Sequence, residues 1–266
     1  MMASTHEKPI GSLDESPAYP DVQKISAADL KEALAKGIDD FKAKPSHLAL
    51  LALIYPLAMV VAANVAVGYI PLPLIFPLLS GFALVGPLAA IGLYELSRRR
   101  ELGLDISWEH AFNVIRYPSI SMLTLSAVVG VIYFAWLGAA LAIYRLIYGS
   151  AAPTSIIEFV QQVLTTPAGW TLIIVGCGVG FLFAVVVLAI SAVSFPMLLD
   201  QHVGAVRAIR TSVHAFLANP TTMMLWGFVV ASLLLLGAVP LFAGLAVVMP
   251  VLGHATWHLY RKIVKH

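Results

Sequence analysis

Residues 221–260 read TTMMLWGFVVASLLLLGAVPLFAGLAVVMPVLGHATWHLY, an uninterrupted apolar run apart from Gly237-Ala238-Val239-Pro240. A hydrocarbon core of about 30 Å is crossed by about 20 helical residues, so this run is about twice the required length. Proline lacks the amide donor that would continue a helix, and the run is therefore predicted to fold as two spans, about 221–238 and 240–260. Upstream lie four further apolar stretches, at about 46–69, 71–97, 119–147 and 168–199. Gly68-Tyr69-Ile70-Pro71-Leu72-Pro73 separates the first two by the same reasoning. Six spans result.

The basic residues test that count independently. With six spans and a cytoplasmic N-terminus, all of the 16 lysines and arginines except Arg145 fall on the cytoplasmic side, as the positive-inside rule requires. Five spans would place Arg261, Lys262 and Lys265 outside. Both termini are thus expected in the cytoplasm. Tyr144, Tyr148 and Trp170 mark the expected outer interface, and Tyr94, Tyr117, Trp257 and Tyr260 the inner one.

Composition agrees with a polytopic membrane protein. Of 266 residues, 60% are hydrophobic and 11% charged, whereas soluble domains carry about 25% charged residues. Mean hydropathy is +0.89. The polar N-terminal 44 residues lack a basic, apolar, cleavable pattern, so no removable signal peptide is expected. Residues 1–25 are expected to form a disordered cytoplasmic tail, and residues 26–266 the membrane domain. Cys177 has no partner for a disulfide and reads as a small packing residue.

Each cytoplasmic connection carries an amphipathic stripe that ends at a proline. Leu30, Leu34, Ile38 and Phe41 precede Pro45, with Ser26 and Asp29 spaced as a capping box. Trp108, Ala111, Phe112 and Ile115 precede Pro118. Val203, Val206, Ile209, Val213 and Phe216 precede Pro220, with Arg207, Arg210 and His214 off the stripe. In addition, Pro87, Pro196 and Pro250 each stand eleven residues before an arginine, namely Arg98, Arg207 and Arg261. The pattern predicts three helical hairpins, each with an interfacial helix, related by an axis near the membrane normal. Basic residues near an anionic leaflet attract it, so Arg207 and Arg210 are expected at the membrane surface.

The polar residues offer little chemistry. His254 and His258, four apart, share a helix face. They read first as an interfacial pair hydrogen-bonded to headgroups, water or neighbouring helices, with metal or haem ligation the weaker alternative. The absence of HExxH removes a zinc hydrolase. No carboxylate or base lies in the middle of a span, which disfavours a coupled transporter, and Glu95 is expected to pair locally with Arg98 and Arg99. Asn64, Ser80, Ser126, Ser191 and Ser194 leave passive conduction open. Gly176, Gly178 and Gly180 make a smooth strip that suits close helix packing, within the bundle or against another subunit. Residues 155–165 read as a short helix on the outer surface. No cofactor motif, catalytic constellation or nucleic-acid signature appears, so the chain is expected not to be an enzyme and to need no cofactor.

The segments KISAADLKEALAKGIDDFKAKP (24–45), GPLAAIGLYELSRRRELG (86–103) and SFPMLLDQHVGAVRAIRTSVHAFLANP (194–220) resemble an uncharacterised family of bacterial integral membrane proteins. That family is a domain of unknown function, and some of its members are described as cytochrome c oxidase subunits. The resemblance implies a bacterial inner-membrane location and an association with respiration, and it carries no catalytic residues. The catalytic oxidase subunit needs intramembrane histidines on several helices, one of them linked to a tyrosine four residues on. Here position 258 is His and position 262 is Lys, so an accessory or assembly subunit is the form left. Its expected partners are the lipid bilayer and other membrane subunits, with a homo-oligomer open. The alternative is a channel or carrier for a small neutral solute or lipid. The topology has a direct check: V239C in an otherwise cysteine-free chain should react with an impermeant thiol reagent from the periplasmic side, and labelling only from the cytoplasm would exclude six spans.

Overall fold

Ser26 opens the first helix, α1 (Ala27–Ala43), through the capping box anticipated from its spacing to Asp29. Its amide donates to Asp29 Oδ2 at 2.9 Å and its hydroxyl to the same oxygen at 2.7 Å, which satisfies a donor ahead of the first turn. The computed structural model describes residues 21–43, 60, 72–81, 83–150, 153, 155–201, 203–240 and 243–265. Apart from Val60, the first expected span, 46–69, with His47 and Asn64, lies outside these residues, as do most of the expected tail, His6, His202 and His266.

After a 3-10 turn at Leu72–Leu74 the chain forms α2 (Ile75–Gly81), α3 (Gly86–Ala89), α4 (Ile91–Glu101), α5 (Trp108–Arg116) and α6 (Ile120–Tyr148). There follow α7 (Ile156–Thr165), α8 (Pro167–Ser191), α9 (Ser194–Asp200), α10 (Ala205–Ala218), α11 (Pro220–Ala238) and α12 (Leu245–Ile263). Among the described residues extended pairing is limited to an isolated bridge between Val22 and Val264. That bridge corrects the boundary of the expected tail. Asp21 to Ile25 are held at the C-terminus, where Gln23 N–H donates to Ile263 O and Lys265 N–H to Asp21 O.

Among the described residues three helices are long and apolar enough to cross a membrane: Ile120–Tyr148, Pro167–Asp200 and Pro220–Ala238. They match three of the six expected spans. The expected second span is instead a chain of short helices, α2 to α4, because Pro73, Pro77 and Pro87 each remove an amide donor. Trp136 Nε1 donates to Pro77 O at 2.9 Å, so a neighbouring helix satisfies a carbonyl at this broken stretch. The last helix, α12, begins later than expected and contains Pro250.

Pro196 has a similar effect at the end of the fourth expected span, where the helix breaks at Ala192 and Val193 between α8 and α9. The backbone groups freed there are served by Ser212 of α10. Val193 N–H donates to Ser212 Oγ at 3.2 Å, and the Ser212 hydroxyl donates to Ala189 O at 2.7 Å. Buried backbone in a membrane protein needs such partners. The same contact fixes which face of α10 is covered: Ala205, Ala208, Thr211, Ser212 and Ala215 are buried. Of the expected stripe, Val203, Ile209 and Phe216 pack against the core while Val206 remains 63% exposed. Small side chains allow the close approach that the serine bridge requires. Arg207 also stands on α10, beyond a turn, rather than on the helix of Pro196.

The deepest packing lies at the end of the bundle that carries the basic clusters. Tyr94, Phe195, Met223, Trp226, Trp257 and Tyr260 are buried there in a single cluster. Helix α1 closes this end by lying along α12, with Leu30, Ala33, Gly37 and Asp40 inward. Its apolar face is therefore covered by protein. At Gly37 an added Cβ would stand 2.7 Å from Val251 O and from Ala255 N, so the two backbones touch where no side chain fits. G37A is accordingly expected to destabilise the fold by about 1–3 kcal/mol and to speed trypsin cleavage at Lys42, which is exposed but helical. G176A, whose added Cβ meets nothing within 4 Å among the described residues, should leave unfolding in detergent nearly unchanged.

Candidate functional site

The inward face of α1, spaced 30, 33, 37 and 40, ends in a carboxylate. Asp40 is buried, with its side chain 8% exposed, and a buried charge is stable only when paired and hydrogen-bonded. Two helices supply its partners. From α4, Ser97 Oγ donates to Asp40 Oδ2 at 2.5 Å, and Arg100 pairs with Oδ1. From α12, His258 Nε2 donates to Oδ2 at 2.8 Å. His254, one turn earlier, places Nδ1 2.6 Å from Ser97 Oγ and 3.8 Å from Asp40 Oδ2. His254 is fully buried, and its Nε2 has no hydrogen-bond partner among the described residues.

Burial pushes the Asp40 carboxyl up, but the hydrogen bonds from His258 and Ser97 and the charges of the two imidazoles outweigh it. Its pKa lies below the ordinary carboxylate range. Around this group the ion pairs continue outward. Arg261 Nε meets Glu101 at 2.9 Å and its Nη1 meets Asp200 at 3.4 Å. Lys262 Nζ meets Asp29 at 2.9 Å and Glu32 at 2.7 Å, and the bond to Glu32, with smaller contributions from Asp29, raises the lysine pKa. Asp29 is held down to about 2 by the Ser26 hydroxyl and amide, helped by Lys262. Between α1, α4 and α12 a cavity of about 370 Å³ opens, lined by Lys36, Asp40, Ser97, Arg100, Glu101, His258, Arg261 and Lys262.

The histidine pair read from the sequence does share a face, and both rings are hydrogen-bonded to neighbouring helices. No group of three or more His, Cys, Asp or Glu residues among the described residues is arranged to hold a metal ion. The sequence pattern does not single out Asp40 or Ser97, and it marks Arg100 only as one of the basic residues, because their pairing depends on helices distant in sequence. The available signal was an aspartate in register with Ala33 and Gly37 on the small-residue face of α1.

The other candidates lie apart from this cluster. The glycine strip divides: Gly180 rests against Trp136, with an added Cβ 3.0 Å from the ring, while Gly176 and Gly178 meet nothing within 4 Å among the described residues. Cys177 is exposed rather than packed. Arg210 is exposed on α10, near His214. Glu95 pairs with Arg98 at 2.8 Å and with Arg99 at 3.6 Å, the local arrangement expected of it. The hydroxyls of Ser191 and Ser194 are spent on Val187 O and Ile190 O of their own helical stretch.

Residues 75–200 match the model of a family described as Predicted integral membrane protein (DUF2189). No curated protein and no solved structure matches the chain. The matched stretch contains the spans α6 and α8 and, of the polar cluster, Ser97 and Arg100. Asp40, His254 and His258 lie outside it.

The carboxylates set a pH dependence. Asp29 and Asp40 have depressed values in the folded protein, so the docking energy they contribute is present in full above the ordinary aspartate value of about 4 and is lost as pH falls through the folded values, toward about 2 for Asp29. Hydrogen exchange over residues 27–43 should therefore accelerate below pH about 4 relative to the rest of the fold. The double variant D29N/D40N should exchange faster at neutral pH and lose that dependence.

Proposed function

We propose that the chain is a non-catalytic accessory or assembly subunit of an energy-transducing membrane complex in the bacterial inner membrane, with a cytochrome c oxidase as the favoured partner. Six spans in three hairpins, with both termini cytoplasmic, belong to this proposal. The observation that carries it is the surface of Pro167–Asp200, of whose most apolar window only 6% is buried inside the chain. On that surface Gly176 and Gly178 leave the backbone open to close approach, and membrane helices associate through such small-residue faces. The polar cluster supports the same reading from the other end. Its carboxylates and bases are engaged with one another in a seam that fixes α1, a structural arrangement rather than an array of reactive groups. A conduit draws less support, because Ser191 and Ser194 turn their hydroxyls to backbone carbonyls and neither lines the cavity described above.

Affinity purification of the full chain from native membranes in mild detergent tests the proposal. Subunits of an oxidase or another energy-transducing complex should co-purify in stoichiometric amounts. G176L and G178L, which fill open positions, should reduce that recovery severalfold while leaving the isolated chain folded. Recovery of the chain alone would overturn the reading.

A further inference from the structure

The cavity between α1, α4 and α12 is lined by four fixed cations, Lys36, Arg100, Arg261 and Lys262, against two carboxylates, Asp40 and Glu101. The cations are held in place by partners. Asp40 positions Arg100, Glu101 and Asp200 position Arg261, and Glu32 anchors both Lys36 and Lys262. Fixing them in advance lowers the ordering cost of binding a ligand. They also retain donors. A guanidinium has five N–H groups, and the described contacts occupy one nitrogen of Arg100 and two of Arg261. Ser97 and His258 both donate to Oδ2 of Asp40, which ties that charge into the protein.

We propose that this cavity is a binding site for a phosphate group, presented by the headgroup of an anionic phospholipid or as a free phosphate. Arg100 and Arg261 line the cavity with guanidinium nitrogens beyond those that meet Asp40, Glu101 and Asp200, and planar guanidinium forks match phosphate oxygens in a bidentate way. A volume of about 370 Å³ admits a phosphate with its ester substituent. The position also fits, since basic pockets between helices at the cytoplasmic end of a membrane protein receive phospholipid headgroups. Every lining residue belongs to this chain, so the site is independent of the accessory-subunit reading.

Trp257 provides a local reporter, because its Nε1 donates to Glu101 at 2.9 Å at the cavity wall. The full chain is placed in nanodiscs of phosphatidylcholine, with inorganic phosphate titrated against chloride of equal ionic strength, and separately in nanodiscs containing increasing phosphatidylglycerol. A saturable change in tryptophan emission, lost in W257F, is expected from one of the two sources. A response to phosphate in neutral discs assigns a free-phosphate site, and a response to phosphatidylglycerol alone assigns a headgroup site. R100Q should weaken the response on the order of tenfold. K36Q changes a side chain that is 52% exposed, so it should fold normally and still weaken binding. No saturable response to either source, an equal response to chloride, or unchanged responses in both R100Q and K36Q would overturn the proposal.

Discussion

A buried carboxylate dictates the arrangement of one whole end of this protein. Asp40 leaves water only because Ser97, Arg100 and His258 meet it, and those three residues come from two helices far away in sequence. Removing one partner from such a group costs far more than the pair contributes, since the charge stays behind. The seam therefore acts as a specificity device. It sets the rotation and the height of α1 on α12, and the backbone contact at Gly37 is possible only in that register.

The middle of the bundle obeys a different constraint. Breaks in a helix leave backbone groups that lipid cannot satisfy, and at two places here a side chain from a neighbour meets them. Trp136 serves the carbonyl of Pro77, and Ser212 serves both Val193 and Ala189. The breaks thus create specific tertiary contacts that continuous helices would lack. This explains why α10 docks through alanines, a threonine and a serine while Val206 faces outward.

What was legible in the sequence was what length and hydropathy control. Helices at 120–148, 167–191 and 220–238, the Ser26 capping box, the Glu95–Arg98 pair and the short helix at 156–165 all follow from local pattern. The broken second span was not legible, because apolar content alone does not say which of several prolines a helix tolerates: Pro250 lies within α12, whereas the stretch around Pro73, Pro77 and Pro87 is divided. The candidate site was half legible. The spacing of His254 and His258 announced a shared face, but their partners depend on non-local docking, which no periodicity encodes. Asn219 is a similar case. Its side chain accepts from Ile25 N–H and donates to Gln23 O, pinning the N-terminal segment from nearly two hundred residues away.

The clasp between Val22 and Val264 has a consequence for how the chain is made. Helix α1 is synthesised long before its seat on α12, so it waits through the synthesis of the intervening helices before it finds its place. During that interval its inward face, Asp40 included, lacks the partners that α4 and α12 supply. Contacts of such high sequence separation are slow to form, and here they form only once α12 has been made. A product that stops short of α12 leaves α1 without a seat.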